Sequence, residues 1–224
     1  THRAVFGKPL AEQPLMANVL ADLALESEAA TASALRLARS YEAPAGDEHE
    51  NLLQRLLTPI FKYWTCKRAP EHAAEALECL GGNGFVEESP MARVFRQSPV
   101  NGVWEGSGNV ICLDVLRALT REPDALEAYW SEVAQADSGD ARLARAIDDL
   151  HVDLSEPETL EPRARSVVER MAVVFQASLL VRFAPEPVAD AFCASRLGGA
   201  RAGAFGTLPA GTDNAAIVAR HAPI

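Results

Sequence analysis

Apolar residues return at helical spacing from Pro14 to about Tyr41: Leu15, Val19, Leu20, Leu23, Leu35 and Leu37, with alanines filling between them. Pro14 suits a first helical turn. The stretch Glu42-Ala43-Pro44-Ala45-Gly46-Asp47 breaks the run, and Asp47 is fitted to cap a second helix. That helix is expected from Glu48 to about Thr65, carrying Leu52, Leu53, Leu56, Leu57, Ile60, Phe61 and Trp64. Pro59 lies inside it and predicts a kink or a later effective start. Pro70 opens a third helix to Leu80, which Gly81 and Gly82 stop. A short helix follows from Pro90 through Arg96, and another from Ser107 to about Thr120. Beyond Arg121-Glu122-Pro123-Asp124 the spacing predicts helices near 124–136, 139–153, 157–183, 187–197 and 212–220. A glycine- and alanine-rich stretch, 198–206, is expected to be irregular, and no strand is expected. Long helices with short joints predict an all-α antiparallel helical bundle over residues 1–121, followed by a second small helical domain over 122–224.

Charge narrows the classes of partner. The 224 residues are 48% hydrophobic and 23% charged, ordinary for a globular chain, with a formal net charge of −10. Residues 122–224 hold nine arginines, no lysine and sixteen acidic residues, a net of −7 against −3 for the rest. That balance disfavours nucleic acid, which attracts basic faces. Cys66, Cys79, Cys112 and Cys193 form no CxxC pair and read as reduced core thiols of a cytoplasmic protein. His2, His49, His72, His151 and His221 share no ligand spacing, so no metal site is expected. No apolar run is long enough to span a bilayer.

The chemistry concentrates around Trp104-Glu105-Gly106-Ser107-Gly108-Asn109. Glu105 falls in a loop just before a helix, beside Val103 and Trp104. Apolar neighbours of this kind desolvate a carboxylate, disfavour its charged form and make it a stronger base. Glycines after it leave room for a ligand, and Ser107 is placed to cap the helix. The residues alone leave two readings open: a general base, or a carboxylate at a helix start with no chemistry.

Leu80 to Leu119 reads LGGNGFVEESPMARVFRQSPVNGVWEGSGNVICLDVLRAL. It resembles the C-terminal part of the acyl-CoA dehydrogenase family, closest to the AidB-like branch linked to the response to alkylation. Arg3-Ala4-Val5-Phe6-Gly7-Lys8-Pro9-Leu10 resembles the start of the same family's C-terminal helical domain. About half the chain is covered closely, and the remainder resembles the extra domain of that branch. The resemblance implies that Glu105 removes the α-proton of an acyl-CoA thioester while the β-hydrogen leaves as hydride to FAD. Gly106 would lie against the substrate. Ser107 and Asn109 stand where the family has Thr and Gln at the flavin, with helix capping as the other reading. Arg3 matches an arginine on a flavin phosphate, Phe6 an apolar contact on the adenine side, and Gln13 a polar contact. Pro14 replaces the usual Gln beside it.

In the family the backbone of the Gly81-Gly82-x-Gly84 turn approaches the flavin nucleotide of a neighbouring subunit. The turn follows a helix rather than a strand, which excludes a Rossmann fingerprint. Glu78 stands where Gln is usual, so it is expected to point away or the geometry to differ. The resemblance further implies a homotetramer whose flavin bridges subunits. It also implies a parent longer than this chain, which opens on Thr1; the flavin-holding β-domain is absent here, and these residues alone are expected to be inactive. A second function from the same branch is DNA binding by the extra domain, with Arg163, Arg165 and Arg170 as the local basic stripe. The acidic balance argues against it.

Overall fold

The computed structural model describes residues 3–136, 139–199 and 203–221. It opens with a two-stranded antiparallel hairpin, β1 (Ala4–Val5) and β2 (Lys8–Pro9), in which Val5 pairs with Lys8. Phe6 and Gly7 form its two-residue loop at φ +51° and +81°, the backbone of the turn that matches strand twist. The expectation of no strand fails here, because two-residue strands leave no alternation to read.

Among the described residues ten α-helices follow: α1 (Pro14–Tyr41), α2 (Glu48–Cys79), α3 (Gly82–Phe85), α4 (Pro90–Gln97), α5 (Gly108–Arg121), α6 (Pro123–Val133), α7 (Ala141–Leu154), α8 (Leu160–Phe183), α9 (Glu186–Phe192) and α10 (Asn214–Arg220). Short 3₁₀ turns precede α1, link α4 to the reactive loop and introduce α8, and a π-type turn, Cys193–Leu197, extends α9. The all-α expectation is met, and α1 has the bounds its periodicity predicts. Asp47 caps α2 by accepting from the Glu50 amide.

The two helices expected on either side of Pro70 are one. α2 runs unbroken through Pro59 and Pro70. Each proline removes a backbone donor and costs about 3 kcal/mol in a helix interior. Leu53, Leu56, Leu57 and Ile60 are wholly buried on this helix, and each such side chain returns about 1.5–3 kcal/mol. Packing outweighs the local penalty at Pro59; beyond Pro70 the helix is held against α1 by buried Ala73 and by the His72 bond to the Leu23 carbonyl.

Core residues come from both sides of Arg121. Leu25, Leu56 and Val115 belong to the same apolar cluster as Tyr129, Leu143, Phe175, Phe192 and Ile217. α8 is the centre of that cluster: thirteen of its residues are buried, from Ala164 to Leu180. Tyr129 donates its hydroxyl to the Met171 carbonyl, and the Trp64 indole donates to Gln176. Ionic contacts also cross the boundary. Arg36 bonds Glu50 and Glu132, and Arg182 bonds Glu132 from α8.

The stretch expected to be irregular is so where it is described, Gly198–Gly199 and 203–206, while 200–202 lie outside the described residues, as does His2. Gly206 donates its amide to Asp22, and Asn18 exchanges two bonds with the Leu208 backbone, pinning the tail along α1. All four cysteines are free. Among the described residues no cluster suits a metal ion, and no helix is long and apolar enough to cross a membrane.

Candidate functional site

Glu105 sits where the 3₁₀ segment Ser98–Gly102 hands over to α5. The Val103 and Trp104 amides both donate to the Val100 carbonyl, which folds the chain back on itself. Glu105 is then carried at φ +58° and Gly106 at φ +123°. A positive φ is uncommon for a residue with a Cβ and concentrates at functional positions. Its carboxylate is exposed and lines a groove of about 380 Å³ with Tyr41, Thr58, Pro59, Lys62, Ile111 and Asp114.

The expected desolvation by sequence neighbours does not occur within this chain. Val103 is 66% and Trp104 60% exposed. Ser107 occupies the N-cap position of α5, with extended backbone, yet its hydroxyl makes no capping bond; only its carbonyl is used, by the Ile111 amide. Among the described residues the hydroxyl has no hydrogen-bond partner. Asn109 is engaged from an unexpected direction: its side-chain oxygen accepts from Arg165 Nε at 2.8 Å. Gly106 is tight as well, since a Cβ there would meet Ile111 Cδ1 at 2.9 Å.

A second group gathers around the hairpin. Arg3 lies over the turn that ends α2: a Cβ on Gly81 would meet its Nη1 at 2.9 Å. Gly81 itself holds φ +62° and ψ −147°, a conformation open to glycine. Nothing lies within 4 Å of the position a Cβ would take on Gly82. Phe6 is 98% exposed at the tip of the hairpin. Gln13 donates Nε2 to the Val5 carbonyl at 3.0 Å and so braces the hairpin against the start of α1. Among the described residues no carboxylate pairs with Arg3, so its donor fork is uncommitted. Glu78 is exposed, and its carbonyl receives the Gly81 amide.

Lys62 and Arg165 hydrogen-bond the site without being assigned to it from the sequence, where Arg165 figures only as part of a basic stripe. Lys62 donates Nζ to the carbonyls of Asn101 and Gly106, and Arg165 reaches Asn109. The signal for Lys62 is a single charge inside the apolar run Pro59-Ile60-Phe61-Lys62-Tyr63-Trp64. Arg165 gave none, because its partner is 56 residues away. Within the stripe Arg163, Arg165, Arg170, both Arg163 and Arg170 bond Asp153. Arg96 pairs with Glu87 on an exposed face, as a solvated surface would.

The model of the acyl-CoA dehydrogenase C-terminal domain matches residues 1–120. AidB of Escherichia coli (strain K12) is 39% identical over 85% of this chain and 35% of its own length. Acyl-CoA dehydrogenase family member 11 of Caenorhabditis elegans is 33% identical over 60% of this chain and 22% of its own. Among solved structures, Caenorhabditis elegans ACDH-11 in complex with C11-CoA superposes with a TM-score of 0.73 at 25% identity, covering 86% of this chain and 38% of that one. The apo form of Bd2924 gives 0.68 at 28% identity, over 80% and 35%. The chain thus spans between about a fifth and two fifths of the length of these relatives. With the helical fold in place and the family model covering residues 1–120, more than half of the 224, the chain belongs to the acyl-CoA dehydrogenase family, with residues 1–120 matching its C-terminal domain.

Proposed function

We propose that these residues are the C-terminal part of a flavin-dependent acyl-CoA dehydrogenase in which Glu105 is the base. The observation that carries the reading is the presentation of Glu105. A carboxylate held at positive φ, uncommitted to any hydrogen bond among the described residues, faces an open groove one residue before a glycine. In this reading Glu105 takes the α-proton of an acyl-CoA thioester. The thioester lies against the Gly106 backbone, and closure of the site by the rest of the protein excludes water and desolvates the carboxylate.

The residues present fit a dinucleotide flavin. Arg3 offers an uncommitted guanidinium fork for a phosphate, over a turn with open space at Gly82, and Phe6 offers an exposed ring. The Ser107 hydroxyl and the Asn109 amide nitrogen are donors at the other end. Bound FAD would supply the acceptor for the β-hydride. Gln13 braces the hairpin that carries Arg3 and Phe6, and acts on the cofactor through them. The assembly proposed is a homotetramer in the cytoplasm, with residues 122–224 as a helical extension that shares the bundle's core.

Anaerobic titration of the longer flavoprotein with short, long and branched acyl-CoA thioesters tests this. Bleaching of the flavin absorbance by one class, abolished in Glu105→Gln with flavin still bound, is the expected result. No bleaching by any thioester in flavin-loaded protein would overturn it. The rival reading, an alkylation-response protein that binds DNA, would then be tested by salt-dependent affinity. The pairing of Arg163 and Arg170 with Asp153 argues against it here.

A further inference from the structure

Lys62 stands on α2 facing the reactive loop, half-buried. Its ammonium donates to the Asn101 carbonyl at 3.1 Å and the Gly106 carbonyl at 2.7 Å. These carbonyls bracket Glu105, four residues before it and one after. Between them the backbone passes through the unfavourable φ of +58° at Glu105, with Val103 and Trp104 largely solvent-exposed and unable to anchor it by burial. Backbone bonds close the turn before Glu105 and start α5 after it. Among the described residues, Lys62 is the side chain that hydrogen-bonds this stretch from outside.

A loop that places a base needs such a tie. Displacement of a catalytic group by about 1 Å costs on the order of a hundredfold in rate, and a left-handed, exposed residue relaxes unless its surroundings hold it. An ammonium is well suited to hold it. It has three donors, two of which the carbonyls use, and bonds from a charged donor are about twice as strong as neutral ones.

We propose that Lys62 is the positioning residue for Glu105, clamping the carbonyls on both sides of it and setting the direction of its carboxylate through the backbone. The proposal rests on the reading of Glu105 as the base, and it names a part of the machinery that this reading did not contain.

The test compares wild type, Lys62→Met and Lys62→Arg in the longer flavoprotein. In the methionine variant, amide hydrogen exchange over residues 102–107 is expected to accelerate at least tenfold. Flavin reduction by the best thioester is expected to slow at least tenfold, with the apparent dissociation constant of that thioester changed less than twofold. Arginine, which keeps charged donors, is expected to recover a third or more of the rate. Unchanged exchange over 102–107 overturns the clamp, as does slowed reduction that arginine fails to recover at all. If the methionine variant does not fold, Lys62→Gln takes its place in the same readouts. Faster exchange in a protein that no thioester reduces upholds the clamp and removes the dehydrogenase reading, so the two fail separately.

Discussion

Arg165 on α8 donates its Nε to the side-chain oxygen of Asn109 at 2.8 Å, tying the extension of the chain to the head of α5. The bond selects one face of the amide. With the oxygen taken by Arg165, the Asn109 nitrogen, a donor only, is turned elsewhere. Arg165→Ala is therefore expected to weaken FAD affinity of the longer protein by about three- to tenfold, since the amide can then flip. Because the contact is on the surface, the unfolding free energy is expected to change by less than about 1 kcal/mol. Flavin release followed by fluorescence, beside a urea melt, checks both numbers; unaltered flavin affinity would place Asn109 outside the cofactor site.

Gly106 combines φ +123° with a side-chain space already filled by Ile111. Gly106→Ala is expected to cost about 1–3 kcal/mol of local strain and to displace the loop. Thioester-driven bleaching is expected to fall more than tenfold while the bound flavin spectrum persists. Retention of full activity would show that the loop takes another conformation with substrate.

Arg36, Glu50, Glu132 and Arg182 form a buried ionic cluster joining α1, α2, α6 and α8, with the Glu132 side chain 3% exposed. Burial by itself raises the Glu132 carboxyl, yet the hydrogen bonds from Arg36 and Arg182 hold it below the ordinary range. Glu132→Ala leaves both guanidinium groups short of a partner, and removing one member of a buried pair costs about 3–5 kcal/mol. The midpoint of urea unfolding is expected to drop accordingly, with no change in flavin spectrum. A loss below about 1 kcal/mol would mean that water replaces the carboxylate.

Asp140 caps α7 through the Arg142 and Leu143 amides and also pairs with the Arg142 side chain. The Arg142 hydrogen bond, set against partial burial and helped by the two amides, holds its carboxyl at about 2, below the ordinary value of 3.8. A depressed carboxyl contributes stability that is present above the unfolded value and lost as pH falls towards the folded one. Asp140→Ala is expected to cost about 1 kcal/mol at pH 7. The difference from wild type is expected to shrink between about pH 4 and pH 2, as read by thermal melts across that range. A gap that stays constant down to about pH 2 would assign the effect to packing.

Local patterns in the chain were enough for most of the helices, though not for the continuity of α2 or for α3. The 3.6-residue periodicity sets α1 to the residue, Asp47 marks the start of α2, and glycines end it, because these signals act within a turn or two of chain. The WEGSGN stretch and the opening RAVFGKPL were legible for the same reason, as contiguous motifs. Packing settled the rest. It carried α2 through Pro59 by core burial and through Pro70 by contacts to α1 on either side, Arg68 with Glu26 and His72 with the Leu23 carbonyl. It left Val103 and Trp104 exposed, since what covers a loop depends on segments distant in the chain. It brought Arg3 over Gly81, Lys62 to the Glu105 loop and Arg165 to Asn109 across separations of 78, 44 and 56 residues. Contacts at such separations follow from how the helices pack against one another, which no local pattern of residues specifies.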